Sequence, residues 1–263
     1  MTILDRIVEV KKEEVAAAAR RVSEADLQTY IYETAWISRE FEKQLSCPGP
    51  LGVNIIAEVK RASPSKGDIR VDLNAALCAQ QYEIGGATAV SVLTDTAFFK
   101  GSLDDLRAVR QTVTLPVLRK EFIISSYQIY ESRAAGADAI LLIVRILSND
   151  QLREFTSLAN ELGMDTLVEI HSEEDYACAH DAGARLIGIN NRNLATFDTD
   201  LNTATGLARL LKPEEIPVAA SGISGRDDIE INLKQGIFNF LIGESLVRAR
   251  DRAAFLKTLI FGV

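Results

Sequence analysis

The chain has 263 residues, enough for one large domain or two small ones. It carries 29 basic and 37 acidic residues, and this net charge of -8 argues against a broad nucleic-acid or anionic-membrane surface. The N-terminus interleaves charged with apolar residues, and no later run approaches the ~20 apolar residues of a membrane span. We therefore expect a cytoplasmic protein that binds neither nucleic acid nor a membrane.

The first 50 residues are predicted to be helical and to stand outside the main repeat of the chain. The two helical segments are ILDRIVEVKKEEVAAAARR and EADLQTYIYE, and the breaker stretch SCPGPLG follows them. We interpret residues 1–50 as an N-terminal extension packed on residues 51–263, with one domain overall. A helical extension of this kind is also a candidate to cover one end of the fold.

After the extension, short apolar runs alternate with longer amphipathic ones. Eight runs are predicted to be strands: NIIAEVK, TAVSVLT, PVLRK, DAILLIV, TLVEI, LIGINN, PVAAS and FNFLIG. The segments between them carry helix signals. Ser148 is predicted to cap one helix and Ser172 with Asp175 to form a capping box at the start of another, while Gly163 and Gly183 are predicted to end these two helices in a left-handed conformation.

This alternation of strands and helices predicts a parallel sheet that is buried on both faces. The helix-to-strand junctions resemble one another, as expected of a repeating architecture: GGATAVSVL, AGADAILLI, AGARLIGIN and QGIFNFLIG. Eight units in about 210 residues fit an α/β fold, a single (β/α)8 TIM barrel, which typically needs ~250 residues in all. The competing fold is a doubly wound open sheet, but no GxGxxG follows a predicted strand to support its dinucleotide-binding form.

Ionisable residues occur near the ends of several predicted strands and share a face with apolar residues. Because side chains alternate along a strand, Glu58 and Lys60 lie on the face of Ile56, whereas Ala57 and Val59 lie on the other. In a barrel the small apolar residues would face the helices, so the two charges are predicted to point inward.

The same alternation holds on three further strands. The residues that share an inward face are Leu118, Lys120 and Phe122, then Leu167, Glu169 and His171, and then Leu186, Gly188, Asn190 and Arg192. A single charge at a strand end is more often simply solvated. Charges that converge from several strands on the C-terminal end of a barrel indicate an active site, because that end is where such barrels build one.

Two late strands end in glycine and serine, which is typical of a phosphate site. The loops after strands seven and eight of such barrels commonly bind phosphate through backbone N–H groups. Gly222 and Gly243 permit close approach of the backbone, and Ser221 and Ser245 supply hydroxyl groups. The carboxylate of Glu244 would have to point away from a phosphate. The stretch SPSKG follows the first strand and offers Ser63 or Lys66 on the same rim.

Cysteine and histidine give no sign of a disulfide framework or a metal site. Cys47, Cys78 and Cys178 form no CxxC pair, and we interpret them as free thiols. His171 and His180 have neither HxH nor HExxH spacing. The sequence therefore gives little support to metal catalysis, and no nucleophile elbow or Ser/His/Asp set can be assembled persuasively.

The ordered segments IIAEVKRASPSKG, VLRKEFI, YQIYESRAAGADAILLI, LVEIH, IGINNRNL, ASGI and FLIGESLVRA closely resemble the indole-3-glycerol phosphate synthase family of tryptophan biosynthesis. The resemblance covers nearly the whole chain, including the helical extension. It implies a (β/α)8 barrel that converts 1-(2-carboxyphenylamino)-1-deoxyribulose 5-phosphate into indole-3-glycerol phosphate, carbon dioxide and water without a cofactor or a metal.

The resemblance also implies roles for individual residues. Lys120 matches the family's general acid, Glu169 its second acid/base residue in the dehydration, and Lys60 the lysine that pairs with the substrate carboxylate. Glu58 and Asn190 match residues that orient the intermediate and the lysines. The implied substrate-binding residues are Arg192 on the carboxylate side, Phe122 and Leu141 against the aromatic ring, and Ser63, Ser221, Gly222, Leu241, Gly243 and the N–H of Glu244. Glu244 and Asn191 fall at positions where the residue type varies.

Two alternatives remain open at this point. One is another phosphate-binding barrel enzyme, such as a sugar-phosphate isomerase like phosphoribosylanthranilate isomerase, which would require a cysteine and an aspartate as its acid–base pair. The other is a non-catalytic barrel that binds a phosphorylated ligand or a partner protein, although inward charges without a use would cost stability. We expect a phosphorylated small-molecule substrate and a monomer, with at most weak association with other tryptophan-pathway enzymes.

Overall fold

The computed structural model describes residues 2–193 and 198–262. Within these residues, eight parallel strands close a barrel in the order β1, β10, β9, β8, β7, β6, β5, β4. The barrel strands are β1 (Asn54–Val59), β4 (Ala89–Leu93), β5 (Val117–Lys120), β6 (Ala139–Ile143), β7 (Asp165–Ile170), β8 (Leu186–Asn190), β9 (Ile216–Ala220) and β10 (Asn239–Ile242). A small antiparallel hairpin, β2 (Ala62–Ser63) and β3 (Gly67–Asp68), follows β1. The predicted TIM barrel and all eight predicted strands are confirmed.

Three of the described helices precede the first barrel strand, and the others lie between or after the barrel strands. They are α1 (Ile3–Arg21), α2 (Glu24–Glu33), α3 (Phe41–Leu45), α4 (Ala75–Gly85), α5 (Leu103–Thr112), α6 (Ser126–Ala134), α7 (Asn149–Glu161), α8 (Glu173–Asp181), α9 (Asn202–Leu207), α10 (Arg226–Leu233), α11 (Glu244–Arg248) and α12 (Arg252–Phe261). Short 3-10 turns occupy Pro50–Gly52, Val144–Ile146 and Ala208–Leu210. None of the helices within residues 2–193 and 198–262 is long and apolar enough to cross a membrane.

Local signals in the sequence account for several helix ends. Ser148 forms a capping box with Gln151 at the start of α7, and Gly163 and Gly183 adopt φ angles of 70° and 74° after α7 and α8. The predicted box at α8 is only half formed. The Ser172 hydroxyl accepts from the N–H of Asp175, but the Asp175 carboxylate accepts from the N–H of His171 instead of that of Ser172. This difference places His171 beside an acidic side chain.

Buried apolar residues form two layers, one on each side of the barrel wall. Ile56, Leu118 and Leu167 belong to the cluster inside the barrel, whereas Ala57 and Val59 belong to the larger cluster between the strands and the helices. The predicted inward face of β1, β5 and β7 is therefore confirmed. Alternation along each strand is what divides the two layers.

Parts of the N-terminal extension contribute to the inner layer of the barrel. Phe41 and Leu45 of α3 are fully buried in the inner apolar cluster, at the end where the strands begin. The backbone N–H of Glu42 donates a 2.8 Å hydrogen bond to the carboxylate of Asp165, the first residue of β7. The sequence prediction missed α3, although an apolar pair four residues apart is its signal.

Helix α1 lies at the opposite end, over the C-terminal ends of the strands. Its Ile7 joins the inner apolar cluster. The buried Lys11 ammonium lies 2.9 Å from Asp95 Oδ2 and 2.9 Å from Glu121 Oε1. Burial opposes the charge, but Glu121 and Asp95 outweigh it and raise the pKa of Lys11. The ion pairs join α1 to the loops that follow β4 and β5.

Candidate active site

A cavity of about 650 Å3 occupies the C-terminal mouth of the barrel. Every residue predicted to belong to the site lines it: Glu58, Lys60, Ser63, Lys120, Phe122, Leu141, Glu169, Asn190, Arg192, Ser221, Gly222, Leu241, Gly243 and Glu244. The side chains come together because parallel strands end at the same edge of the barrel.

One side of the cavity holds a lysine–glutamate–lysine cluster. Glu58 Oε1 lies 2.6 Å from the Lys60 ammonium and Glu58 Oε2 lies 3.4 Å from the Lys120 ammonium. Burial alone would raise the pKa of Glu58, but Lys60 and Lys120 outweigh it and lower that pKa to about 2. Glu58 is therefore an anion at neutral pH and holds two cations at fixed positions.

Lys120 is the last residue of β5, and its ammonium faces the cavity. Burial disfavours the charge on Lys120, yet the nearby carboxylates of Glu58 and Glu169 outweigh it and raise the pKa of Lys120. Lys120 consequently carries a proton at neutral pH. It can donate that proton to an oxygen that gains negative charge in the cavity.

Glu169 lies near the end of β7 and is 4 % exposed. Among the described residues, no lysine or arginine nitrogen lies within 4 Å of its carboxylate, and its closest ionisable partner is His171, whose Nε2 is 3.7 Å from Glu169 Oε1. The two carboxylates of the site therefore differ: Glu58 is held between two cations, and Glu169 is not.

Asn190 and Arg192 follow each other at the end of β8. Asn190 Oδ1 accepts a 3.0 Å hydrogen bond from the backbone N–H of Arg192, and the Arg192 guanidinium donates at 2.8 Å to the hydroxyl of Ser65. Arg192 lies beyond the end of β8 and forms an isolated bridge with Thr199. Its side chain thus joins the rim after β8 to the hairpin after β1.

The opposite side of the cavity is built mainly from backbone. Ser221 and Gly222 follow β9 with φ angles of 67° and 81°, so two consecutive residues are left-handed. Such a conformation is costly for serine and is common where a loop is shaped for function. Asn191 supports this loop, because its amide donates at 3.0 Å to the carbonyl of Ser221 and its Oδ1 accepts from the N–H of Ala204.

The second part of this side follows β10 and begins the short helix α11. Ser245 donates its hydroxyl proton at 3.1 Å to the carbonyl of Ile223 and thereby joins this segment to the loop after β9. The carboxylate of Glu244 accepts a 3.1 Å hydrogen bond from Nε of Arg248, one turn along the helix. An arginine partner offsets the negative charge of Glu244 at this rim.

Gly243 connects the two sides of the cavity. A Cβ atom at this position would overlap the Glu58 carboxylate, closest to Oε1 and 2.9 Å from Cδ. The φ angle of Gly243 is -127°, so the glycine is required for space and not for a left-handed conformation. Glu58 reaches both lysines only because this neighbouring strand end has no side chain.

Comparison with known proteins identifies the family. The profile of the family described as "Indole-3-glycerol phosphate synthase" matches residues 4–259. The chain is 56 % identical over 261 residues to the indole-3-glycerol phosphate synthase of Desulfosudis oleivorans, with 98 % of each chain covered. The chain belongs to the indole-3-glycerol phosphate synthase family. It is therefore an enzyme of tryptophan biosynthesis and a decarboxylating lyase, as the sequence resemblance implied.

Two further comparisons put this family membership in context. The chain is 43 % identical to part of the "Multifunctional tryptophan biosynthesis protein" of Schizosaccharomyces pombe; the match covers 98 % of this chain and 35 % of that protein. Among solved structures, tryptophan synthase subunit alpha from Legionella pneumophila superposes with a TM-score of 0.61 at 14 % identity, covering 86 % of this chain and all of that one. The latter likeness concerns the barrel fold alone.

Several residues that line the main cavity were not predicted from the sequence. Phe99 lies beside Phe122, with ring centroids 5.9 Å apart, and extends the predicted apolar wall. Ile3, Leu4 and Ile7 of α1 also line the cavity. The sequence indicated them only through the expectation that the helical extension could cover one end of the fold. The pattern of the strands does not predict a helix that folds back over the mouth of the barrel.

The structure also bears on the metal-ligand pattern, the cysteines and the histidines considered in the sequence. The described residues contain no group of three or more His, Cys, Asp and Glu side chains arranged to hold a metal ion. Cys47, Cys78 and Cys178 are free thiols. His180 is half-exposed on α8 and lies 2.7 Å from Glu215 Oε1. His171 does not line the main cavity, but it does line a second, smaller one of about 340 Å3.

Proposed function

We propose that the chain converts 1-(2-carboxyphenylamino)-1-deoxyribulose 5-phosphate into indole-3-glycerol phosphate, with Lys120 and Glu169 as its acid–base residues. The observation that supports this assignment is the asymmetry of the two carboxylates in one cavity. Glu58 is fixed as an anion between two lysines, whereas Glu169 faces the same space without a cation within 4 Å in the described part of the chain. Environments that differ in this way suit different roles.

Ring closure comes first in the proposed sequence. An aryl carbon of the substrate attacks the ribulose carbonyl, and Lys120 donates a proton to the carbonyl oxygen as it gains charge. Two cations around one anion leave a net positive charge at this side of the cavity, which complements the substrate carboxylate near Lys60. Loss of that carboxylate as carbon dioxide returns its bonding electrons to the ring and restores aromaticity.

Dehydration follows, and we assign it to Glu169. The hydroxyl group formed by ring closure must leave as water, so it needs a proton from a neighbouring acid. The adjacent carbon loses a proton as the double bond forms, and the Lys120 amine, which gave up its proton in ring closure, takes it. Glu58 is unsuited because its pKa of about 2 leaves it ionised at neutral pH. Glu169 points inward near the end of β7, and no lysine or arginine nitrogen of the described residues lies within 4 Å of its carboxylate. Asn190, at the end of the next strand, is positioned to orient the intermediate.

The remaining predicted residues are proposed to hold the rest of the substrate. The apolar wall for the aromatic ring consists of Phe122, Leu141 and Leu241. Arg192 lies on the side of the substrate carboxylate. The phosphate is proposed to bind backbone N–H groups and hydroxyls on the opposite rim, from Ser63, Ser221, Gly222, Gly243 and Glu244. The paired left-handed residues after β9 and the start of α11 after β10 support this position.

The test follows indole fluorescence after the purified chain is mixed with the carboxyphenylamino-deoxyribulose phosphate in buffer containing EDTA. We expect a fluorescence rise in the wild type that is lost in Lys120→Ala. Lys12→Ala, which removes an exposed lysine paired with Glu9, serves as the matched control and should retain the rise. A flat trace from folded wild-type protein would reject the proposed reaction and favour an isomerase or a barrel that only binds its ligand.

We also infer that residues 1–50 and 51–263 form one domain. The buried Lys11 pairs with Asp95 and Glu121, and the buried Phe41 and Leu45 join the inner cluster. Both contacts would be exposed if the barrel unfolded separately from the extension. A single unfolding transition seen alike by tryptophan fluorescence, with Trp36 the sole tryptophan, and by circular dichroism is expected; two separate transitions would contradict it.

The working context is proposed to be a cytoplasmic monomer that takes a phosphorylated small molecule and associates weakly with other tryptophan-pathway enzymes. The acidic net charge of -8 and a relative that is a multifunctional tryptophan biosynthesis protein support this context. Sedimentation of the purified chain should give the mass of one copy. A dimer at micromolar concentration would contradict the proposed monomer.

A further inference from the structure

His171 is a buried titratable residue that the proposed reaction has not used. It follows β7 directly, and its side chain is 4 % exposed. Nε2 lies 3.7 Å from Glu169 Oε1, and Nδ1 lies 3.9 Å from Asp175 Oδ2. Neither ring nitrogen makes a hydrogen bond to any residue that the structure describes. A buried imidazole in this situation calls for a chemical explanation.

His171 lines a second cavity of about 340 Å3, here called the side cavity. The described residues that line it are all polar: Arg145, His171, Asn190, Asn191, Asn193, Asp198, Asp200 and Thr203. Asn190 lines both this cavity and the main one, so the two adjoin at the end of β8. The polar side chains that line it and its volume leave room for several water molecules, at ~30 Å3 of liquid volume each.

The neighbours of His171 keep its backbone in place while they leave the ring available. Asp175 Oδ2 accepts hydrogen bonds from the His171 backbone N–H at 2.8 Å and from Arg145 Nε at 2.9 Å. The Asp175 carboxylate is thereby engaged, and it does not hydrogen-bond to the imidazole. The ring is held beside Glu169, and its two buried nitrogens are hydrogen-bonded to none of the described residues.

Charged groups from several elements face the imidazole. Glu169 belongs to β7, Asp175 to α8, Arg145 to the turn after β6 and Lys120 to β5, and Asp198 and Asp200 line the side cavity. Burial is the largest influence and lowers the pKa of His171; Glu169 and Asp175 oppose that shift, whereas Arg145 and Lys120 add to it. His171 is therefore neutral at pH 7, with one N–H donor and one free lone pair.

We propose that His171 is a positioning and proton-relay residue, which orients Glu169 and returns a proton to it from the side cavity after dehydration. The proposal rests on the proposed function, in which Glu169 gives up that proton. The 3.7 Å separation is longer than a hydrogen bond, as is common before a substrate closes a site.

The proton balance closes over one turnover. The Glu169 O–H bond breaks as the hydroxyl of the intermediate leaves as water. The His171 Nε2–H bond then breaks as a new O–H forms on Glu169. Nδ1 is buried, so a small movement of the ring lets it take a proton from water of the side cavity, and exchange with that water resets the ring. Lys120 regains the proton it gave in ring closure from the C–H bond that breaks as the indole double bond forms. Solvent supplies the one remaining proton, as the net reaction requires, because the substrate carboxylate anion leaves as neutral carbon dioxide.

The relay predicts that dehydration can be slowed without slowing ring closure. In His171→Ala, carbon dioxide release in a single turnover should keep the wild-type rate, while indole formation should fall about 10- to 100-fold. A decarboxylated intermediate, heavier than the product by one water, should then accumulate and be visible by mass spectrometry. KM should change less than about twofold, because His171 does not line the substrate cavity.

Added imidazole makes the test specific for proton transfer. It should restore part of the indole-forming rate of His171→Ala and have no effect on His180→Ala, the matched control, whose side chain is half-exposed and lies outside both cavities. His171→Asn keeps a polar group of similar size; it should be slow as well, but its rate should lose the pH dependence that the imidazole gives the wild type. Folding of each variant is checked by circular dichroism.

Two results would overturn the relay while the proposed function stands. One is indole formation at the wild-type rate in both His171→Ala and His171→Asn. The other is an equal slowing of carbon dioxide release and indole formation that imidazole does not restore, which is the behaviour of a structural residue. Failure of the proposed function is distinguishable, because the wild type itself would then release no carbon dioxide from the substrate.

Discussion

The two sides of the barrel mouth are built from different parts of the chain. The proposed acid–base side, called the acid–base side below, consists of side chains at strand ends, among them Glu58, Lys120 and Glu169. The proposed phosphate side consists largely of loop backbone, at Ser221, Gly222 and the start of α11 after Gly243. Strand ends fix the distances between ionisable groups and so control their pKa values, whereas a loop has only to present N–H groups to an anion.

This comparison predicts that the two sides fail differently when they are damaged. Loss of a side chain on the acid–base side removes an interaction made during the reaction and should lower kcat. Loss of a contact on the phosphate side removes binding that the substrate and the transition state share, and should raise KM. Substitutions that mix these effects would show that the two sides are not independent.

The largest effect is expected from Glu169→Gln on the acid–base side. The amide keeps the shape of the side chain but cannot exchange a proton, so kcat should fall about 100- to 10,000-fold with little change in KM. Steady-state indole fluorescence measures both constants. Glu9→Gln, which changes an exposed carboxylate on α1 outside the cavity, is the matched control, and a Glu169→Gln enzyme within tenfold of wild-type kcat would remove Glu169 from the chemistry.

Gly243→Ala is expected to break the independence of the two sides. It changes the phosphate side, but the added Cβ would overlap the Glu58 carboxylate and displace it from Lys60 and Lys120. We expect kcat/KM to fall roughly 100-fold with a substantial part of the loss in kcat, because a misplaced catalytic group can cost that much.

The control for this substitution is Gly225→Ala. Gly225 also follows β9 on the same rim, yet a Cβ there meets no atom within 4 Å and its φ angle is -157°. It should keep nearly wild-type kcat and KM. If Gly243→Ala raised KM alone, Glu58 would have moved without consequence, and the coupling between the two sides would be wrong.

The two sides of the barrel mouth differ in how much of them the sequence predicts. Alternation along a strand predicted which way Glu58, Lys120 and Glu169 point, because the period of two is a local property of the chain. It also predicted the barrel, since eight apolar runs separated by helices leave few topologies. Glycine and serine after the last strands indicated a phosphate loop, but not the left-handed conformation of Ser221.

Long-range packing is what the sequence did not reveal. Nothing in the pattern of α1 indicates that Lys11 lies within 2.9 Å of Asp95 and Glu121, because those partners lie more than 80 positions away along the chain. The same is true of α3, whose Phe41 and Leu45 fill the opposite barrel end. Contacts of this kind depend on which face of a helix meets the barrel, and a helical period alone does not specify that face.

The acid–base side should also determine part of the acid stability. Glu58 has a pKa of about 2 in the fold, against 4.5 for the free group, so its ionisation stabilises the fold fully above about pH 4.5 and this contribution is lost as pH falls toward 2. At ~1.4 kcal/mol per pKa unit, the shift corresponds to about 3 kcal/mol of unfolding free energy.

Glu58→Gln should therefore flatten the slope of unfolding free energy against pH between about pH 4.5 and 3, the range just below the free pKa. Urea unfolding at several pH values measures that slope. Glu9→Gln, which removes an exposed carboxylate paired with Lys12, should leave the wild-type slope unchanged. An identical slope in wild type and Glu58→Gln would mean that the lysines do not hold Glu58 as an anion.

The smallest effect is expected on the phosphate side, from Ser221→Gly. The φ angle of 67° is costly for serine and free for glycine, so relief of this strain should raise the unfolding free energy by about 0.5–1 kcal/mol once the greater entropy of unfolded glycine is subtracted. The hydroxyl is lost as well, so KM should rise several-fold while kcat changes little.

Ser221→Ala separates the two effects, because it loses the hydroxyl but keeps the strain: it should show the higher KM without the added stability. A variant that gained stability and kept the wild-type KM would show that Ser221 shapes the loop without contacting the phosphate. Serine would then be dispensable there, and backbone alone would form this part of the rim.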